Sequence, residues 1–285
     1  MNPTIRAIAL LVFANGLTAT VDSIAKHLSP GLHPVQIVWG YYTMIAVTLL
    51  IIVAARAISI RELACTTQLP LQLARSLMLA LTLATLFAGI AKLPLADVIA
   101  LTFMAPLFIT LVAVPVLGER FALYRVIAVL VGFVGVVVIL KPGFNTMTWA
   151  LAMPLLSAFG WCWFQILTRK LAATEQTGTT LLYTTAGGVL WASLAVMFVW
   201  RLPTLDEFMW LGAAGLLGAA AHFCLIRAFE AAEASLLAPF NYVKLVWIAF
   251  FGYMVFNEVP SWQTLLGSSI IIVSGIYVLL RARLA

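Results

Sequence analysis

A chain of 285 residues that is 64% hydrophobic and only 9% charged, with a mean hydropathy of +1.10, has too little polar surface to cover a water-soluble globule; soluble domains are about 45–50% apolar and about 25% charged. Its formal charge of +6 comes with no basic run interleaved with aromatics, which excludes a nucleic-acid partner, makes the lipid bilayer the solvent, and leaves Lys and Arg as orientation signals. Three scattered cysteines, Cys65, Cys162 and Cys224, make neither a C-x-x-C pair nor a disulfide framework.

An apolar stretch of about 20 residues crosses a bilayer as a helix, and clusters of Gly, Pro and charge mark the breaks between stretches. In chain order the predicted spans are Ile5–Lys26, Val35–Ala55, Leu71–Ala91, Leu95–Val116, Ala122–Leu140, Thr148–Lys170, Thr179–Trp200, Phe208–Phe229, Leu236–Phe256 and Trp262–Arg281. The first follows Met1–Arg6 in the manner of a signal peptide, but its apolar run reaches Ile24 and no small-x-small cleavage site follows, so it is read as a retained span. Most connections are a few residues long; Arg56–Pro70, with Arg56, Arg61 and Glu62, is the exception. No linker or low-complexity segment divides the chain. The expected fold is therefore a single transmembrane domain over residues 1–285, an all-α polytopic membrane protein with ten transmembrane helices.

Charge counting orients it. With the N-terminus in the cytoplasm, the inner side receives eleven cations: Arg6, Arg56, Arg61, Arg75, Arg120, Arg125, Arg169, Lys170, Arg227, Arg281 and Arg283. The outer side receives four, Lys26, Lys92, Lys141 and Arg201, and the sixteenth, Lys244, lies inside a span. This positive-inside bias predicts that both termini are cytoplasmic, and an odd number of spans would scatter it.

Two segments share a layout. Pro106-Leu107-Phe108 through Leu117-Gly118-Glu119-Arg120 is an apolar helix ending in a small polar turn with Glu, and so is Leu245-Val246-Trp247 through Phe256-Asn257-Glu258-Val259. Aligned without gaps, Glu119 matches Glu258 and Leu140 matches Leu279, with few identities; chance similarity between apolar helices is the bland alternative. The pattern divides the chain into residues 1–143 and 144–285 as two five-helix repeats. Five is odd, so the second repeat is inverted relative to the first, a recurring plan among transporters with a site near the bilayer midplane.

The motifs Leu93-Pro94-Leu95-Ala96-Asp97, Pro106-Leu107-Phe108, Leu117-Gly118-Glu119-Arg120, Gly132-Phe133-Val134-Gly135-Val136 and Lys141-Pro142-Gly143 resemble those of the drug/metabolite transporter superfamily, in its EamA-type metabolite-efflux branch. In the second half Ala228-Phe229, Ala238-Pro239-Phe240, Glu258 and Ser274-Gly275 extend the resemblance over essentially the whole chain. It implies ten helices in two inverted repeats, export of small metabolites, often amino acids, and a bacterial inner membrane; within the family the sequence is similar to aromatic amino-acid exporters of the YddG type. The chain departs from its relatives in lacking an Arg around Tyr41 and a proline at Leu245 equivalent to Pro106.

Polar groups at bilayer depth are costly and mark function or specific packing. Lys244 stands about 13 Å into its span at 1.5 Å per residue, either as a cavity lysine that meets a carboxylate or as a packed stem whose head reaches water. Asn241 precedes it on the same face, after Pro239, which removes a backbone hydrogen bond and frees a carbonyl; Pro106 is its analogue in the fourth span, and a packing kink explains both prolines equally well. His222 lies in a seam of small residues that allows close helix approach, either as a site donor or as a satisfied core histidine, and Asn15 is a comparable mid-depth amide whose alternative is helix–helix bonding. Trp161 and Trp163 sit at mid-depth rather than at an interface, and at 3.6 residues per turn only one of them faces a cavity squarely. Tyr42, Tyr242, Thr82 and Phe103 complete the candidate substrate-binding set, with packing as the alternative for each. Asp22 and Lys26 are spaced for an ion pair on one helix face, and Glu119 and Glu258 open helices five and ten, where the dipole favours a carboxylate.

No H-E-x-x-H, no Walker loop and no facing carboxylates at depth appear in the sequence, so an enzyme, a metal site and a cofactor are not expected. The expected activity is secondary export of a small-molecule substrate, amino acids including aromatic ones, by alternating access, with drugs, nucleosides or other metabolites as the alternative cargo. A monomer is compatible with this reading.

Overall fold

The computed structural model describes residues 3–55, 60–117, 123–140, 149–171, 174–231 and 238–284. Ten apolar segments follow one another: α1 (Pro3–Leu28), α2 (Pro34–Ala55), α3 (Leu69–Ile90), α4 in two pieces (α4a, Leu95–Thr102, and α4b, Ala105–Leu117), α5 (Leu123–Leu140), α6 (Ala152–Leu171), α7 (Thr177–Val196), α8 (Leu205–Ala231), α9 (Val243–Phe256) and α10 (Trp262–Leu284). Short 3-10 turns, Trp149–Leu151 and Ala238–Tyr242, lead into α6 and α9, and one helical turn, Ile60–Leu63, sits in the long second connection. Among the described residues six helices are long and apolar enough to cross a bilayer alone, and four further apolar segments run 10–17 residues. The protein is a multi-pass helical membrane protein.

The prolines shape two of the shorter segments. Pro106 has no N–H to carry the ladder on and restricts the residue before it. The chain therefore tightens at Phe103 and Met104, whose N–H groups donate to the carbonyls of Ala100 and Leu101 (3.3 and 3.1 Å), and α4 resumes at Ala105. Around Pro239 the chain takes a 3-10 turn before α9 begins.

The packing partners reveal the symmetry. α1 lies on α8 as α6 lies on α3, α2 on α8 as α7 on α3, and α1 on α9 as α6 on α4; α2 with α7, α4a with α9 and α5 with α10 are their own counterparts. Exchanging the halves maps this network onto itself, as two inverted five-helix repeats require. At the α5–α10 seam Gly135 approaches the carbonyl of Gly267 and Gly267 that of Gly135, so any Cβ at either position would meet backbone; in lipid such close approach replaces the hydrophobic drive between helices. The far side of α5 shows Leu130, Phe133, Val134 and Val137 to the surroundings, as a lipid-facing helix should.

Ten crossings bring both chain termini to one end of the bundle, the proximal end; the other is distal. The ends are packed unequally. The largest buried cluster joins Ile24 and Leu28 of α1, Ile37 of α2, Phe87 and Ile90 of α3 and Leu95 of α4a, all distal, whereas the proximal cluster centres on Ala7, Leu11 and Ala228. The network has matching exceptions to its symmetry. α1 also touches α3 and α4a, but among the described residues α6 makes no comparable contact with α8 or α9. Likewise α4a meets α9 and α4b does not to any similar extent. Among the described residues, the two halves pack more closely at the distal end than at the proximal end.

Candidate substrate site

The breaks of α4 and α9 meet. Phe103 at the first and Tyr242 at the second stand edge to face with centroids 5.1 Å apart, and they occupy equivalent places under the alignment that matches Glu119 with Glu258. Tyr242 is held from behind by Gly275 of α10, where a side chain would collide with its hydroxyl. Asn15 of α1 donates its amide to the Phe240 carbonyl (3.2 Å), one of the groups in the turn before α9. A backbone acceptor at this depth needs a protein or water partner, and Asn15 supplies it.

Two residues after Tyr242, Lys244 reaches α1, its Nζ 2.7 Å from Asp22 Oδ2, with side chains 21% and 5% exposed. The ion pair expected between Asp22 and Lys26 does not form. Lys26 instead pairs with Glu258 and donates to the Leu93 carbonyl (3.1 Å), while the second Glu258 oxygen accepts from the Leu95 N–H (3.0 Å). An i,i+4 pair on one helix contributes only about 0.3–0.5 kcal/mol; pairs between packed helices in a low-dielectric interior interact more strongly. α9 and the turn after it offer α1 a base and an acid at the two depths where α1 carries an acid and a base.

Glu258 also has a different role from the one its sequence position suggests. Ser261, whose hydroxyl accepts from the Thr264 N–H (3.2 Å), caps α10. Glu258 serves the N-terminus of α4, satisfying the Leu95 donor and meeting the positive end of that helix. Asn257 makes this possible: it ends α9 in the left-handed region (φ 55°), and the Glu258 N–H returns to the Gly252 carbonyl (2.9 Å). Glu119, its counterpart, and the motifs Gly118–Arg120 and Lys141–Gly143 lie outside the described residues.

The remaining candidates fall in separate surroundings. Trp163 is half-buried and edge-on to Phe159 (6.3 Å), which meets Phe108 of α4b (5.9 Å). Trp161 is 37% exposed and lies over Phe164, so the two tryptophans part as their spacing demands. His222 Nδ1 bonds the Gly218 carbonyl of its own helix (2.8 Å). Tyr42 is buried against Gly188 of α7, and Thr82 is buried under Gly160 with its hydroxyl on the Met78 carbonyl (2.7 Å). Asn241 is exposed in the turn before α9.

Sequence reasoning missed three residues. Asp22 was expected to pair with Lys26 on its own helix, yet it is the buried carboxylate that Lys244 meets. Trp247 rests on Gly16 of α1 and stacks on Phe251 (6.3 Å), its indole N–H buried without an acceptor. Arg75, counted only as an inner-side cation, is buried: it donates to Thr168 Oγ1 (2.6 Å) and to Thr184, and its guanidinium lies 4.4 Å from the Phe164 ring centroid. Its signal was there to read, since a cation inside an apolar run needs partners.

Two further features frame the site. A void of about 100 Å³ lined by Pro94, Asp97, Gly252, Glu258 and Ser261 lies at the distal end; ligand pockets run about 300–1,000 Å³, so this is a packing gap behind the closure. On the proximal side the Thr67 N–H and hydroxyl both donate to Glu175 (3.0 Å each), tying the α2–α3 connection to the α6–α7 connection. Desolvation pushes the Glu175 carboxyl up, but hydrogen bonds from Thr67, Thr66 and Gln68 together outweigh it and hold its pKa below the usual carboxylate range.

An ion pair between packed helices lies two residues along the chain from the meeting of two interrupted helices, and comparison with known sequences places the chain in a family. The chain matches the EamA-like transporter family twice, over residues 5–141 and 145–281. It belongs to that family. Among curated relatives it is similar to the S-adenosylmethionine uptake transporter of Rickettsia prowazekii (26% identical, covering 95% of this chain and 94% of that protein) and the riboflavin transporter of Vibrio cholerae (28%, 95% and 92%). It is also similar to the pseudopaline exporter CntI of Pseudomonas aeruginosa PAO1 (30% identical, 94% of each). One solved crystal structure superposes with a TM-score of 0.66 over 97% of each chain at 18% identity, a likeness of fold. The EamA-like protein is thus a small-molecule transporter and not an enzyme.

Proposed function

We propose that this EamA-like protein is a secondary transporter of a bacterial inner membrane that exports amino acids, aromatic ones included, by alternating access. The observation that supports the reading is the buried Asp22–Lys244 pair, two residues along the chain from the Phe103–Tyr242 contact: a charged group suited to the backbone of an amino acid, with aromatic residues in the same segment. The positive-inside count supports a cytoplasmic proximal end with both termini. The closer distal packing of the described residues supports a state that loads cargo from inside, and residues 1–143 and 144–285 rearrange about the α5–α10 seam to release it outside.

Phe103 and Tyr242 form the junction, Asn15 bonds the turn before α9, Asn241 lies in that turn and Lys244 follows it; Trp163 meets Phe159, which meets Phe108 of α4b. His222, Tyr42, Thr82 and Trp161 support the helices around it. The relatives favour two readings of direction, since one is named an exporter and another an uptake transporter, and the riboflavin transporter keeps other metabolites as alternative cargo. The test is flux of a labelled amino-acid panel into liposomes holding the purified protein. Saturable flux with mutual competition among aromatic and other amino acids supports the proposal; flux confined to nucleosides, flavins or drugs overturns it.

A further inference from the structure

The Asp22 carboxylate is 5% exposed, and among the described residues Lys244 is its one ion-pair or hydrogen-bonding partner. An ionised carboxylate offers about four acceptor sites and an ammonium three donors, so each member of this pair is under-supplied. A buried ion deprived of its partner is far more costly than the intact pair is favourable. Any cargo that displaces one member must therefore satisfy the other.

Cargo charge decides the outcome. An anion on Lys244 strands Asp22, a cation on Asp22 strands Lys244, and a neutral molecule leaves the pair closed. A molecule with an ammonium and a carboxylate on one carbon supplies both missing partners and adds no net charge. Near Lys244 on α9 stands Trp247, whose buried indole N–H lacks an acceptor, a further donor for a carboxylate on that side. We propose that the Asp22–Lys244 pair is a zwitterion exchanger: it opens to take the cargo carboxylate on Lys244 and the cargo ammonium on Asp22. This selects α-amino acids over their singly charged analogues, and cargo then crosses without net charge. The inference rests on the reading of the protein as an amino-acid carrier and names the group that enforces it.

Insertion has a mechanical consequence. Among the described residues the pair is one of two ion pairs between α1 and α9 with the turn that follows it; the other, Lys26–Glu258, also grips the Leu93–Leu95 backbone at the distal end. Cargo that opens the first leaves Lys26–Glu258 as the described ion pair holding α1 to the α9 segment, so loading loosens the distal end.

The test is competition against labelled phenylalanine flux in proteoliposomes, with 3-phenylpropionate and phenethylamine as competitors that keep the ring and lose one charge each. Both should compete at least about thirtyfold more weakly than phenylalanine, the loss expected when one partner of a buried charge pair is removed. An imposed membrane potential should leave the flux unchanged. Equal competition by either analogue, or flux driven by the potential, overturns the exchanger while leaving the amino-acid carrier standing. No amino-acid flux at all overturns the carrier and the exchanger with it. The reversed pair Asp22→Lys with Lys244→Asp, which keeps the ion pair and hence the fold, should retain zwitterion preference; its loss in a folded, transporting variant also overturns the proposal.

Discussion

The distal and proximal ends of this bundle are built from the same five-helix unit turned over, yet they differ in how they are closed. Distally, Lys26 and Glu258 grip the backbone where α3 turns into α4, Arg201 donates to the Gly31 carbonyl (2.9 Å), and a large apolar cluster lies beneath. Proximally, the described links are Thr67 to Glu175 between connections, Tyr183 to the Ala64 carbonyl (2.8 Å), and buried Arg75 of α3 to Thr168 of α6 and Thr184 of α7. None joins α4b to the turn before α9. The difference teaches that the state of the carrier can be read as a departure from its own symmetry, because each contact in one half names the contact that the other half should make in the opposite state.

Four substitutions break or sharpen this contrast. Lys244→Met strands Asp22 at the junction between the two ends and should cost about 3–5 kcal/mol of stability, read as a fall in melting temperature in detergent; adding Asp22→Asn should recover most of that stability but not transport. Gly267→Leu drives a side chain into the Gly135 carbonyl and should cost about 1–3 kcal/mol. Because the α5–α10 seam is its own symmetry mate, folding yield should fall while the balance between the ends stays put.

Glu258→Gln weakens the distal grip by about 1–2 kcal/mol, so distal cysteines should label about five- to thirtyfold faster with little change in melting temperature. The smallest effect belongs to Glu175→Gln, which loosens a proximal tie only. The depressed pKa of Glu175 means that its contact stabilises at neutral pH and is lost as pH falls through that pKa. Wild type and variant should therefore differ slightly in melting temperature at pH 7 and converge in acid.

The fold was legible because lipid imposes long apolar helices and because Pro106 and Pro239 announce breaks wherever they fall. Lys244 was legible for a similar reason: a charge at that depth has few bland explanations. Its partner was not. Spacing along α1 pairs Asp22 with Lys26, and nothing one-dimensional says that α9 will lie alongside with a lysine and a glutamate in the complementary order. Trp247 was lost among the aromatics of α9, since only packing against Gly16 sets it apart. Thr82 and Tyr42 were indistinguishable from cavity residues until Gly160 and Gly188 were seen to cover them.

The most direct test of the central claim, a carrier whose proximal end is open while its distal end is closed, is side-specific labelling of single cysteines after replacing Cys65, Cys162 and Cys224. Asn241→Cys, in the proximal turn, should react with a membrane-impermeant maleimide applied from the side of the termini. Ala96→Cys, buried in α4a, should stay protected until transported amino acid is added, when its labelling rises and that of Asn241→Cys falls. Labelling of both positions at once without cargo, or indifference of both to every transported compound, would contradict alternating access in this protein.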